Sequence, residues 1–196
     1  MAAGKLKNLS IRNARFAKIG LDNMCKYIID KTRRKDLHVL EVGSFSGDSG
    51  RIFASNFVDG LVYCVDPWRS NYDPIGHDLA SDPKMYNMKE IEAKFDEMAS
   101  EFDNIIKYKE TSEEASKRFS DKSLDMVYID GLHIYEGVSQ DLRLWYPKVK
   151  IFLCGHDYVS KHHKDVRIAV DEFCKNINYN EEIKVFSDSS WLIKLH

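Results

Sequence analysis

The chain has 196 residues, with 29 Lys and Arg against 31 Asp and Glu and a formal net charge of -2. That length suits one domain with a full core, and the near-balance of charge excludes a dedicated nucleic-acid surface, which would be strongly basic. No apolar run approaches the ~20 residues needed to cross a bilayer. The first ten residues lack the apolar centre of a secretion signal, so a soluble cytoplasmic protein with no nucleic-acid or membrane partner is expected.

In chain order, residues 9–30 read as a helix with Leu21, Met24, Cys25 and Ile28 on one face. Asp36 to Glu41 reads as the first strand and Gly47 to Phe57 as a helix. Leu61 to Val65 is the second strand, ending at Asp66. A Pro-, Asp- and Ser-rich loop follows, roughly 67–84. A loop that long at a sheet edge suggests a lid over a substrate, and Arg69, Tyr72, Asp73, His77 and Asp78 are candidates to line the pocket beneath it. Met85 to Phe102 carries Met88, Ile91, Phe95, Met98 and Phe102 at helical spacing. This is expected to pack on the sheet, although the stripe also suits a partner helix.

Asn104 to Lys109 is the third strand and Ser112 to Phe119 a short helix. Ser123 to Ile129 is the fourth strand, and His133 to Tyr146 a helix ended by Pro147. Val149 to Cys154 is the fifth strand and Asp165 to Lys175 a helix. Glu182 to Phe186 and Trp191 to Leu195 form an antiparallel hairpin around Ser187–Ser190. Alternation of this kind predicts an α/β, Rossmann-like three-layer sandwich: a seven-stranded, mostly parallel sheet with a C-terminal antiparallel hairpin. Residues 1–36 form a helical segment on a core domain of 37–196. Cys25, Cys64, Cys154 and Cys174 make no Cys-x-x-Cys pair and read as buried free thiols.

Two constellations carry chemistry. In the first, Val39 to Ser49 runs from strand through Glu41, Gly43, Ser44 and Gly47 to a helix start at Ser49. Such a turn offers backbone N–H groups at the carboxyl end of a strand, where open α/β sheets bind cofactors. Gly43-x-x-x-Gly47 is not the three-glycine dinucleotide fingerprint. Glu41 would repel a pyrophosphate but could bind an amino group, which favours a cofactor with an amino-acid end; the plainer reading is that Glu41 only caps the turn. Asp66 at the second strand tip suits ribose hydroxyls. In the second constellation, Asp130 and Asp157 stand at adjacent strand tips, with His133 on the first helical turn beyond Asp130 and His156 beside Asp157. Strands lie about 4.8 Å apart, so the two acids can share a cation with His133 as base. The competing readings are a capping Asp130 and structural histidines at 133 and 156. His162 and His163 could extend the metal site but read more simply as a polar loop.

The string Asp130-Gly131-Leu132-His133-Ile134-Tyr135, then Asp141-Leu142, Trp145-Tyr146-Pro147 and Gly155-His156-Asp157-Tyr158, together with the Glu41–Ser49 loop, resembles the class I S-adenosylmethionine-dependent methyltransferases. Within them it is most similar to the metal-dependent macrocin and mycinamicin type of O-methyltransferase. The resemblance implies S-adenosyl-L-methionine as cofactor. Glu41, Gly43 and Ser44 would lie around its methionine end, with Gly47 and Ser49 completing the loop, Asp66 on the ribose and Ser112 near the adenine. It implies a divalent cation, Mg2+ or Mn2+, on Asp130 and Asp157, with Asp130 also bordering the cofactor, His133 as base and a small-molecule hydroxyl as acceptor. His156 stands where relatives often supply a carboxylate or amide, and as a ligand it would favour a transition metal. Lys148-Val149-Lys150 replaces the family's Gly-Gly turn and leaves the frame of the fifth strand open. Two alternatives keep the fold: a hydrolase or hydroxylase with a transition metal on His133, His156 and Asp157, and a non-catalytic domain binding a nucleoside or a partner through the Met88–Phe102 helix. A homo-oligomer remains open.

Overall fold

The computed structural model describes residues 19–70 and 86–195. Residues 9–18 of the expected first helix and most of the expected lid, with Tyr72, Asp73, His77 and Asp78, lie outside the described residues. Helix α1 covers 19–32 and ends where Arg33 turns left-handed (φ 58°). It is followed by β1 (Val39–Val42), α2 (Asp48–Asn56), β2 (Val62–Val65), α3 (Met88–Ala99), β3 (Ile105–Tyr108) and α4 (Ser112–Ser116). The second half comprises β4 (Leu124–Ile129), α5 (Tyr135–Trp145), a 3-10 turn (Tyr146–Lys148), β5 (Val149–Gly155), α6 (Lys164–Asn176), β6 (Lys184–Val185) and β7 (Trp191–Lys194).

The strands form one sheet in the order β3-β2-β1-β4-β5-β7-β6. The first five are parallel, and β7 runs antiparallel to both β5 and β6. Central strands β1 and β4 are buried on both faces, which is why they read as unbroken apolar runs. One face is covered by Leu21, Met24 and Ile28 of α1, Phe53 of α2 and Met88, Ile91, Phe95 and Met98 of α3. The other is covered by Ala115 of α4, Val138, Leu142 and Trp145 of α5, and Val166, Ala169 and Val170 of α6. The stripe on α3 is therefore spent on its own core, which removes the surface on which a partner-helix reading rests. All four cysteines are free and buried.

Several boundaries differ from expectation for local reasons. Asn87 caps α3, its side chain accepting from the Lys89 N–H, so the helix starts at Met88. A capping box between Thr111 and Glu114 starts α4, which stops at Ser116. The open frame at Lys148–Ile151 resolves as a bulge: Leu124 pairs with Val149 but Met126 with Phe152, so β5 carries one extra residue. Only Lys184 and Val185 pair with β7 at the exposed edge, and a short edge strand limits unwanted pairing.

Candidate active site

The chain runs outward from β1 to β2 and β3 on one side and from β4 to β5 on the other, so the order reverses between β1 and β4. Ligands of open α/β sheets bind beyond the strand tips at such a point. Glu41 to Gly47 and Asp130 border that cleft. Gly43 (φ 87°) and Gly47 (φ 86°) turn left-handed, a conformation glycine adopts without penalty. A Cβ on Gly43 would come within 2.1 Å of the Asp130 carbonyl oxygen, so the two loops touch through bare backbone. A Cβ on Gly47 would strike the Met98 methyl at 2.1 Å. Gly47 thus serves close packing of α3.

The loop amides differ from the expected bare donors. Gly43 and Ser44 both donate to the Val65 carbonyl (2.8 and 3.3 Å), and Phe45 donates to Asp66 Oδ2 (2.9 Å). These N–H groups are satisfied by the neighbouring strand tip, and the first turn of α2 supplies further donors. Asp66 is 7% exposed, and its other oxygen accepts the Trp68 N–H at 2.7 Å. The Trp68 indole returns a bond to the Phe45 carbonyl (2.8 Å). Phe45 (φ 44°) and Trp68 (φ 42°) are both left-handed, so Asp66 clamps two strained turns. Sequence reasoning assigned Trp68 nothing; its place directly after Asp66-Pro67 was the available signal.

Glu41 is fully buried beneath α2. It accepts the Ser49 hydroxyl on Oε1, while among the described residues Oε2 and the buried Ser44 hydroxyl meet no partner at hydrogen-bond geometry. Burial pushes the Glu41 carboxyl from 4.5 up to about 7, against the pull of Ser49. The folded state therefore holds this proton across a pH range in which the unfolded chain has released it, so stability falls as pH rises from 4.5 to 7. Between pH 5 and pH 8 the Glu41 contribution is on the order of 3 kcal/mol. Denaturant unfolding of wild type and Glu41→Gln at both pH values should show a smaller loss in the variant by about that amount. Equal losses would mean that Glu41 ionises freely in the fold.

The second constellation gathers beyond the tips of β4 and β5. His133 Nε2 lies 3.3 Å from Asp130 Oδ1 and 3.2 Å from Asp157 Oδ2. His156 Nδ1 lies 3.3 Å from Asp157 Oδ2 and 3.9 Å from Asp130 Oδ1. Ligand atoms of Asp130, His156 and Asp157 all fall within 4.8 Å of one another. Successive strand residues face opposite ways, yet His156 and Asp157 both face this site because Asp157 turns left-handed (φ 61°). His133 is not on the first helical turn: Ile134 is the N-cap of α5, so His133 sits in the loop before it. His163, at the start of α6, stacks on His133 with ring centroids 4.4 Å apart, and so joins the site rather than a plain polar loop. Burial alone would raise Asp157, but hydrogen bonds from His133 and His156 hold it far below the usual carboxylate range. Burial also opposes charge on His156, and Asp157 and Asp130 overcome it, lifting the imidazole to about 9. A cavity of about 10 Å³, room for one water, is lined by Asp130, His133, His156 and Trp191, and among the described residues the buried Trp191 indole N–H finds no acceptor.

Ser112 opens α4 at the far wall of the cleft. Its hydroxyl donates to Asp141 Oδ1 (2.5 Å) and accepts from Trp145 Nε1 (2.8 Å).

A family model described as a methyltransferase domain matches residues 40–158, which include Glu41, Gly43, Ser44, Asp66, Asp130, His133, His156 and Asp157. The chain belongs to this methyltransferase family. Solved structures similar to the methyltransferase include the O-methyltransferase NovP, at 16% identity over 92% of this chain and 79% of that one (TM-score 0.61). A putative caffeoyl-CoA O-methyltransferase from Staphylococcus aureus shares 17% identity over 90% and 82% of the two chains (TM-score 0.62). TomG from Streptomyces achromogenes, an O-methyltransferase of tomaymycin synthesis solved with SAM, shares 10% over 92% and 79% (TM-score 0.58). At these identities the likeness is one of fold. Comparison with curated proteins gives no match. Among the described residues no helix of the methyltransferase is long and apolar enough to cross a membrane.

Proposed function

We propose that this methyltransferase moves the methyl group of S-adenosylmethionine to a hydroxyl of a small molecule, a sugar or a phenol, with a divalent cation beside the acceptor and His133 taking its proton. The observation that carries this reading is the convergence of Asp130, His133, His156 and Asp157 at the tips of β4 and β5, beside the Gly43 turn. Neighbours of the same fold include O-methyltransferases, and one was solved with SAM.

The residues present fit both groups. Two carboxylate oxygens and one imidazole nitrogen, converging within 4.8 Å, are a donor set for a divalent cation, and the imidazole favours Mn2+ or a later transition metal over Mg2+. When bound, the cation would lower the pKa of a hydroxyl and fix its position. The sulfonium brings an already activated methyl, so the chain's task is alignment, worth roughly 7–11 kcal/mol at best. Asp66 oxygens can each accept more than one hydrogen bond, which leaves capacity for ribose hydroxyls. His133 faces Asp130 and Asp157, two carboxylates that stabilise the imidazolium formed when it accepts a proton.

Two measurements test the proposal. Calorimetry should show S-adenosylhomocysteine binding to metal-free protein. Electron paramagnetic resonance should show one Mn2+ per chain, with affinity reduced at least about tenfold in Asp157→Asn. No binding of either would overturn the proposal, and methyl transfer from labelled SAM to catechol and sugar panels identifies the acceptor class.

A further inference from the structure

Trp191 opens β7 and is fully buried. Burying an indole leaves its one polar group, the Nε1–H, in need of an acceptor. Trp68 and Trp145 meet that need at 2.8 Å, on the Phe45 carbonyl and the Ser112 hydroxyl. Among the described residues the Trp191 N–H finds none, and an unanswered buried donor is costly. The sheet fixes where that ring stands. Trp191 pairs with Gly155 across β5 and β7, and a Cβ on Gly155 would stand 2.7 Å from the indole Cε2 and Cζ2. Only a bare Cα admits the ring there. Cε2 is the carbon bonded to Nε1, so the N–H edge lies against the end of β5, one residue before His156. The same side chain lines the one-water cavity with Asp130, His133 and His156, while Val138 of α5 and Val166 of α6 supply apolar wall. A purely apolar cavity stays dry, but one that offers a water two or more polar partners holds it.

We propose that one buried water occupies this cavity, accepting the Trp191 N–H and donating to the Asp130 carboxylate, and that Trp191 is thereby a positioning residue for the cation ligands Asp130 and His156. The inference rests on the cation reading above. Asp130 Oδ1 already faces His133 and His156, yet a carboxylate has about four lone-pair sites, so capacity remains for a water. Water fits the volume, accepts from the indole and donates to an acid, and each of these is required here. Groups that stand behind metal ligands hold their orientation and so set the affinity of the site. A phenylalanine at 191 would keep an aromatic ring against Gly155 but could hold no water by a hydrogen bond. That difference separates positioning from packing.

The test uses the whole protein. In a proton–nitrogen correlation spectrum the Trp191 indole N–H, assigned through its ring correlations, should show a cross-peak to a long-lived water. Trp68 and Trp145, bonded to protein acceptors, should not. Mn2+ titration followed by electron paramagnetic resonance should show roughly 10–100-fold weaker binding in Trp191→Phe, with S-adenosylhomocysteine affinity by calorimetry as in wild type. The unmoved cofactor affinity distinguishes positioning from a general loosening of the sheet. No long-lived water at the indole would overturn the assignment. So would a Trp191→Phe variant that binds Mn2+ like wild type, or one that loses both ligands alike. Should the variant fail to fold, wild type decides: saturating Zn2+, which is diamagnetic, should move the Trp191 N–H resonance more than those of Trp68 and Trp145, and an unmoved resonance would sink the idea. Binding of no divalent cation by wild type would instead bring down the cation reading and the positioning role with it, while the cross-peak still judges the water.

Discussion

His133→Ala should bind S-adenosylhomocysteine like wild type and lose about 10²–10⁴-fold in single-turnover methyl transfer. The size follows from the role: the imidazole faces Asp130 and Asp157 at 3.3 and 3.2 Å and lies outside both hydrophobic cores. Its removal takes away a proton acceptor while leaving the cofactor loop and the Asp66 clamp untouched. His133→Gln separates hydrogen bonding from basicity, since an amide cannot take up the proton, and should be as slow as the alanine variant. The readouts are the binding constant from calorimetry and the rate of label transfer in one turnover. Undiminished transfer in both variants would remove His133 from the reaction.

Gly43→Ala should lower the melting temperature by roughly 5–15 °C and abolish measurable S-adenosylhomocysteine binding. Two costs combine. An L-residue at φ 87° pays about 1–2 kcal/mol for the left-handed backbone. The new methyl would also overlap the Asp130 carbonyl at 2.1 Å and the Gly131 Cα at 2.8 Å, and neither is a side-chain tip that can swing aside. Forcing the loops apart adds typically 1–3 kcal/mol and pulls the β1 turn away from the β4 tip, where the cofactor and acceptor must meet. Scanning calorimetry and ligand titration read the two effects separately. A variant that melts and binds like wild type would show that the two loops do not touch in solution.

The layered sheet was legible because its central strands are continuous apolar runs punctuated by glycine, and because Asp130 and Asp157 fall just past strand tips that alternation alone predicts. Their mutual distances were not. That His156 and Asp157 face one point depends on a left-handed residue that no periodicity announces, and His133 left its helix because Ile134 took the cap. The expected loop donors at Gly43 and Ser44 were consumed by a carbonyl from the neighbouring strand, a long-range pairing invisible in a local motif. The Asp141-Leu142 pair stood out in the sequence only as part of a resemblance. Its bond to Ser112 spans 29 positions and needs the packing of α4 on α5 to exist.

Phe45, Trp68 and Asp157 all hold left-handed backbones around the cleft, at a cost of order 1–3 kcal/mol each. The layered core must supply that energy, so the rim is tense and the interior underwrites it. Selecting variants of this protein for heat resistance would therefore tend to find replacements that relax these three positions first, and the hardier proteins so obtained would be the poorer catalysts.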